Sequence, residues 1–182
     1  MKTIFTVILL ISFSHSIQAQ KGKLGSLNPC KCVDLSEVTN KKTPADILIG
    51  MRECIELKEF EKAAQLFAIA GVYGKYDTYR VKDKTAHQVT SILQEIILFD
   101  VDEKVKEDLV VNLQKYLKAD SEELNNVCSQ IQQIGAPKYY PRYMVQHGIQ
   151  AFTNSEKNSL VKNFKSKESF DLALKEYLHC EK

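Results

Sequence analysis

Apolar residues recur every three or four positions along most of this chain from Thr43 onward. That spacing gathers side chains on one face of an α-helix. No segment alternates between apolar and polar residues as a half-buried strand does. The periodicity therefore predicts an all-α fold: a single helical domain of about seven helices.

Capping residues predict several helix boundaries. Thr43 and Pro44 offer an N-cap and a first-turn proline to the first helix. The second begins near Phe60, and Gly71 and Gly74 mark where it can end. The third helix is predicted over 84–99, and the fourth begins after an Asp102 cap. The fifth runs from an Asp120 cap to Gly135, the sixth covers 141–152 and the seventh begins near Ser166.

The N-terminus has the pattern of a secretory signal peptide. Lys2 precedes an apolar run from Ile4 to Ile11, and Ala19 is a small residue after which cleavage is expected. The run is shorter than the about 20 residues that span a bilayer, so no stable membrane anchor is expected. We divide the chain into a signal peptide (1–19), an extended cysteine-containing segment (20–42) and an all-helical domain (43–182). Export to a bacterial periplasm is favoured, with secretion as the alternative.

All five cysteines follow the apolar run, and in an exported chain they are interpreted first as disulfides. Cys128 and Cys180 both fall on predicted helices, so we predict a bridge between them. A second bridge joins Cys54 to either Cys30 or Cys32, which leaves one thiol unpaired. The Cys30-Lys31-Cys32 motif lacks a second ligand pair at metal spacing, so no metal or cofactor is expected.

The predicted first pair of helices carries small and aromatic residues at regular spacing. In the second helix, these are Phe60, Ala63, Phe67 and Ala70. This pattern resembles the second helix of a tetratricopeptide repeat. The first helix departs from the repeat, with Ile47 at the aromatic position, Gly50-Met51 in place of Leu-Gly and Cys54 at the tyrosine position. The closing proline of the repeat is absent, and Lys75 stands near its place.

No second copy of this pattern follows at the same period. The resemblance implies one tetratricopeptide-like hairpin, over about residues 44–74, inside a larger helical domain. Because that superfamily binds peptides and proteins in a concave groove, the resemblance favours a binding function. The alternative is that any two short antiparallel helices carry alanines where they cross.

Residue patterns of catalysis are scarce. Downstream of the predicted cleavage site the histidines are His87, His147 and His179, and the chain has neither a Gly-x-Ser-x-Gly elbow nor a His-Glu-x-x-His motif. A free cysteine beside His147 or His87 would make a thiol enzyme, which remains an alternative. The net charge of +2 offers no basic excess, so nucleic acid is not expected as a partner.

Two tyrosine clusters, the first over residues 72–80 and the second over 137–147, interleave aromatic and basic residues in segments interpreted as loop or helix entry. Tyr and Arg are enriched in protein-binding hot spots, so the clusters together predict a binding rim. The alternative is that these tyrosines pack their rings against the core and direct their hydroxyls to solvent. The candidate protein-binding residues are Tyr73, Tyr76, Tyr79, Arg80, Tyr139, Tyr140, Arg142, Tyr143 and His147.

These features together favour an exported, non-enzymatic helical domain that binds another protein. Its most concrete form is a periplasmic inhibitor or immunity protein that neutralises a toxin. The alternatives are a small periplasmic hydrolase or thiol enzyme and an envelope-assembly or structural module.

Overall fold

The computed structural model describes residues 25–152 and 159–180, and the predicted signal peptide lies outside this part of the chain. The described residues form seven α-helices joined by short turns, which confirms the all-α class. The helices are α1 (Pro44–Glu56), α2 (Phe60–Arg80), α3 (Val89–Leu98), α4 (Glu103–Tyr116), α5 (Glu122–Ile134), α6 (Arg142–Val145) and α7 (Ser166–Leu178). Three 3-10 turns cover Leu35–Glu37, Lys84–Ala86 and Ile149–Phe152.

Helix α1 begins where the capping residues predict. The Thr43 side chain accepts a hydrogen bond from the Asp46 N–H, and the Asp46 carboxylate accepts one from the Thr43 N–H, which makes a reciprocal capping box. The caps of α4 at Asp102 and the end of α5 at Gly135 are likewise confirmed. Interactions within one turn therefore set these boundaries.

Helix α2 is longer than predicted, and its predicted end at Gly71 or Gly74 is wrong. A side chain at Gly71 would overlap the ring of Tyr177 on α7, and one at Gly74 would lie 2.5 Å from Thr90 on α3. The two glycines thus allow neighbouring helices to approach α2 closely. The first tyrosine cluster is consequently helical, and α2 forms the centre of the fold with α1, α4 and α7 packed around it.

Three other predicted boundaries are corrected. Residues 84–86 form a separate turn before α3, because the Asp83 carboxylate caps it by accepting from the Thr85 N–H. The N-cap of α5 is Ser121, whereas Asp120 has a left-handed backbone with φ of 60°. The predicted helix over 141–152 breaks after Val145, and the N–H of Gln150 donates to Asp83.

Two disulfides cross-link the helices. Cys128 on α5 pairs with Cys180 after α7, as predicted, and Cys54 on α1 pairs with Cys32. Cys30 is the unpaired cysteine and is buried. Disulfides form and persist in oxidising compartments, which agrees with export. No helix in the described part of the chain is long and apolar enough to cross a membrane.

Candidate functional site

The two tyrosine clusters meet inside the protein around a buried carboxylate. Asp77 on α2 is fully buried. Its Oδ1 accepts a hydrogen bond from Arg80 Nε at 2.6 Å, and its Oδ2 accepts from the hydroxyls of Tyr143 at 2.8 Å and Tyr139 at 3.0 Å. Buried carboxylates are stable when paired and hydrogen-bonded in this way. We call these four residues the Asp77 network.

Arg80 links α2 to the segment that follows α5. Its guanidinium carbon lies 5.0 Å from the ring centroid of Tyr76 and 4.9 Å from that of Tyr139, within range of cation–π attraction. Its Nη1 donates to the carbonyl oxygen of Tyr139 at 2.9 Å. Arg80 therefore positions both the backbone and the ring of Tyr139.

The remaining tyrosines of the first cluster are also held by internal contacts. Tyr73 donates to the carbonyl oxygen of Gly135 at 2.9 Å, and the hydroxyl of Tyr76 lies 2.8 Å from Ser166 Oγ. The hydroxyl of Tyr79 donates to Glu176 on α7 at 2.7 Å. These bonds connect α2 to the end of α5 and to α7.

Burial controls the electrostatics of the Asp77 network. Removal from water raises the pKa of Asp77 to about 6, against the opposing effects of the Arg80 charge and the tyrosine hydrogen bonds. Burial also raises the pKa of Tyr139 and Tyr143 well above the ordinary tyrosine value, so both hydroxyls keep their protons. Both tyrosines are consequently donors to Asp77.

This arrangement corrects the expectation of an exposed rim. Tyr73, Tyr76, Arg80 and Tyr143 are buried and do not reach a partner in this conformation. The rings of Tyr73, Tyr76 and Tyr143 pack in the core, as the alternative interpretation held. Their hydroxyls, however, form internal hydrogen bonds instead of pointing to solvent, because the two clusters pack against each other. His147 is exposed, and its ring Nδ1 donates to the carbonyl oxygen of Tyr143.

Three of the candidate residues, Tyr139, Tyr140 and Arg142, line a surface groove of about 540 Å³. Here it is called the Arg142 groove. The other lining residues come from the N-terminal segment and the start of α1: Leu27, Asn28, Lys41, Thr43 and Asp46. Sequence reasoning missed these five, because no local pattern shows that positions so distant in the chain share one groove.

Asp46 holds the N-terminal wall of the groove in place. Its carboxylate accepts hydrogen bonds from Ser26 Oγ and the Asn28 N–H, in addition to two from Thr43. Its carbonyl oxygen accepts from the Cys30 N–H at 2.9 Å. The Cys32–Cys54 disulfide anchors the same segment two residues later. The wall is therefore fixed by both a covalent bond and a hydrogen-bonded carboxylate.

The exposed charges of the Arg142 groove are positive. Lys41 and Arg142 are both exposed, and neither forms an ion pair with a carboxylate in residues 25–152 or 159–180. Asp46, by contrast, is 2% exposed and its acceptors are used internally. Apolar surface lies beside the two cations, since Leu27 is 77% exposed and Tyr140 39%.

A larger depression of about 810 Å³ lies beside α7 and Cys180. Its charged lining mixes Glu168 and Asp171 with Lys175, so it has no single sign of charge. None of the candidate binding residues contributes to it. The Arg142 groove is therefore the better candidate for recognition.

Cys30, the free cysteine among the described residues, is poorly suited to act as a nucleophile. Burial raises the pKa of the Cys30 thiol to about 11, so it stays protonated at neutral pH and is a poor nucleophile. His87 donates through Nε2 to the carbonyl oxygen of Val81 at 2.9 Å. In the described residues, no group of three or more His, Cys, Asp or Glu side chains is placed to hold a metal ion.

Comparison of the chain with protein-family models, curated proteins and solved structures finds no match. The functional interpretation therefore depends on the site itself.

Proposed function

We propose that this chain is an exported, non-enzymatic helical domain that binds another protein. The observation that carries the proposal is the Arg142 groove, in which Tyr140, Arg142 and Leu27 are exposed on a framework held by two disulfides. Aromatic and arginine side chains are typical of protein-binding hot spots, because they combine a large contact area with polar groups.

The most concrete form of the proposal is a periplasmic immunity protein that neutralises a toxin. The predicted signal peptide and the disulfides support an oxidising compartment. A preorganised surface favours the tight stoichiometric complex that such an inhibitor requires. We further propose that α1 and α2 form a tetratricopeptide-like hairpin, a type of scaffold used for protein binding.

Affinity capture tests the binding function. The full chain, carrying a C-terminal tag, is expressed and exported in its own cells and is then purified through the tag. Proteins that elute with it are identified by mass spectrometry. One protein at stoichiometric amounts is the expected result. A preparation that contains only the tagged chain, at concentrations well above a nanomolar dissociation constant, would contradict a constitutive tight complex.

The immunity role requires a second measurement. Co-expression with the captured partner is expected to restore growth to cells in which that partner alone is toxic in the periplasm. A partner that is harmless in that compartment would reject the immunity role while leaving protein binding intact.

A further inference from the structure

We propose that the Arg142 groove binds an acidic segment of a partner protein, with Arg142 and Lys41 pairing with its carboxylates and Leu27 and Tyr140 contacting an adjacent apolar side chain. This inference rests on the proposed protein-binding function and names the partner's chemistry. Its basis is charge complementarity across a groove whose walls are already fixed.

The cations come from two separate parts of the chain. Lys41 precedes α1, whereas Arg142 begins α6, and both line the groove. Lys138 adds a third exposed cation nearby, since its N–H donates to the carbonyl oxygen of Asn40 at 2.7 Å. Three positive side chains on two adjoining segments create a field that attracts an anionic partner.

Among the described residues that line the groove, Asp46 is the only carboxylate, and it does not cancel this field. Asp46 is nearly fully buried and accepts hydrogen bonds from Ser26, Asn28 and Thr43. Its charge is also offset by the N-terminal end of α1, where it sits in the first turn. The exposed guanidinium of Arg142 is therefore available to a carboxylate from outside, in the fork geometry that arginine favours.

The apolar part of the groove predicts which residue lies next to the carboxylate in the partner's acidic segment. Leu27 is largely exposed, and Tyr140 is more than one-third exposed beside it. The hydroxyl of Tyr139 is used by Asp77, so Tyr139 offers its ring rather than a hydrogen-bond donor. A carboxylate next to a leucine or phenylalanine side chain fits this combination of groups.

The Asp77 network holds one wall of the groove in a defined shape. Arg80 holds the Tyr139 carbonyl, and Asp77 holds the Tyr139 and Tyr143 hydroxyls on either side of Tyr140 and Arg142. The segment that carries the binding residues is thus tied to the central helix α2. Preorganisation of this kind lowers the entropic cost of association.

Peptide titration tests the inference directly. The oxidised, exported protein, labelled with ¹⁵N, is titrated with a synthetic acetylated peptide that alternates aspartate and leucine. A matched peptide with lysine in place of aspartate is the control. We expect shifts of the amide signals of Lys41, Thr43, Tyr140 and Arg142 with the acidic peptide alone, weakening as salt is raised because exposed ion pairs are screened.

A charge-reversed variant links the signal to the groove. Arg142→Glu is expected to weaken binding of the acidic peptide about tenfold or more, because an attractive pair becomes repulsive. Lys118→Glu, at an exposed lysine outside the groove, makes the same change in net charge and is expected to leave binding unchanged. Equal effects of the two variants, or shifts confined to another surface, would overturn the inference.

Capture with the same variants separates this inference from the proposed function. Loss of the partner by Arg142→Glu, with retention by Lys118→Glu, supports the groove as the binding surface. A partner that Arg142→Glu retains at unchanged affinity rejects the groove while protein binding stands. The unaltered chain could also capture no partner from cells while the acidic peptide still binds in the groove. That result would reject the constitutive complex, and the groove inference would stand.

Discussion

Nε of Arg80 donates to Oδ1 of Asp77 at 2.6 Å, three residues earlier on α2, and both side chains are removed from solvent. This pair lies where the two tyrosine clusters meet. Arg80 also bonds the Tyr139 carbonyl oxygen, so the pair connects the central helix to the segment that lines the Arg142 groove. Its energetic role can be measured apart from any partner.

Removing one member of the pair should destabilise the protein more than removing both. Arg80→Met leaves a buried carboxylate without its cation, and we expect a loss of about 3–5 kcal/mol in the free energy of unfolding. Asp77→Leu should cost a comparable amount. The double variant should lose clearly less than the sum of the two, which a double-mutant cycle by urea unfolding measures.

Lys165 and Glu168 provide the matched control for that cycle, because they form an ion pair at the same spacing but are mostly exposed. Their coupling energy is expected to stay below about 1 kcal/mol. Strict additivity at Asp77 and Arg80 would show that the buried pair contributes no coupling.

The raised pKa of Asp77 predicts a pH dependence of stability. Its ordinary pKa of 3.8 applies in the unfolded chain, whereas the folded value is about 6. Between about pH 4 and 6 the folded state keeps a proton that the unfolded state has lost. The contribution of Asp77 is therefore most favourable below pH 4, and about 3 kcal/mol of it is lost as pH rises through 6.

Urea unfolding of the unaltered chain and of Asp77→Asn across pH 4–7 isolates this contribution, since other carboxyl groups cancel in the difference. A difference that does not change over this range would contradict the assignment. If Asp77→Asn does not fold, ¹³C NMR of the Asp77 carboxyl in the unaltered chain is expected to show a midpoint near pH 6 rather than near 4.

Cys30 should be unreactive in the native protein. Its thiol is buried and its pKa is raised to about 11, so little thiolate exists at neutral pH. We expect the oxidised protein to react with a thiol reagent such as DTNB only after denaturation, and then at a single site. Reaction of the folded protein at the rate of free glutathione would show that this thiol is accessible and would reopen the thiol-enzyme alternative.

Gly50 should be required where α1 meets the N-terminal segment. A Cβ at this position would lie 2.5 Å from the Lys31 carbonyl oxygen and 2.8 Å from Cys30 Cβ. Alanine favours a helix by about 1 kcal/mol relative to glycine, but the backbone overlap should outweigh this and give a net loss of about 1–3 kcal/mol.

Gly71→Ala is the informative comparison for Gly50→Ala in thermal or urea unfolding. Its neighbour is the outer end of the Tyr177 ring, a side chain that can rotate away. We expect the smaller loss of stability at Gly71. An increase in stability for Gly50→Ala would show that the N-terminal segment is not held against α1.

Much of the secondary structure could be predicted from the chain itself, because the interactions that decide it act within a turn or two. The caps at Thr43 and Asp102 and the stop at Gly135 depend on hydrogen bonds and backbone conformation near each residue. The apolar period predicted the all-α class for the same reason. The Cys128–Cys180 bridge was predicted by placing each cysteine on a late helix, and the bridge is present although Cys180 lies two residues beyond the end of α7.

The structural roles of several individual residues, in contrast, depend on the tertiary structure. Gly71 and Gly74 read locally as helix ends, yet they stay within α2 because α7 and α3 need close approach there. Cys30 and Cys32 are equivalent in sequence terms, and only the path of the segment across α1 selects Cys32 as the partner of Cys54.

The candidate site shows the same division. Sequence composition identified Tyr139, Tyr140 and Arg142, but it could not tell them from Tyr73, Tyr76, Arg80 and Tyr143, which are buried. The Asp77 carboxylate draws Arg80 and the Tyr143 hydroxyl inward, whereas Leu27 and Lys41 join the surface residues from far away in the chain. Local sequence therefore determined most of the helices, whereas packing between segments distant in the chain determined which candidate side chains are buried and which are exposed.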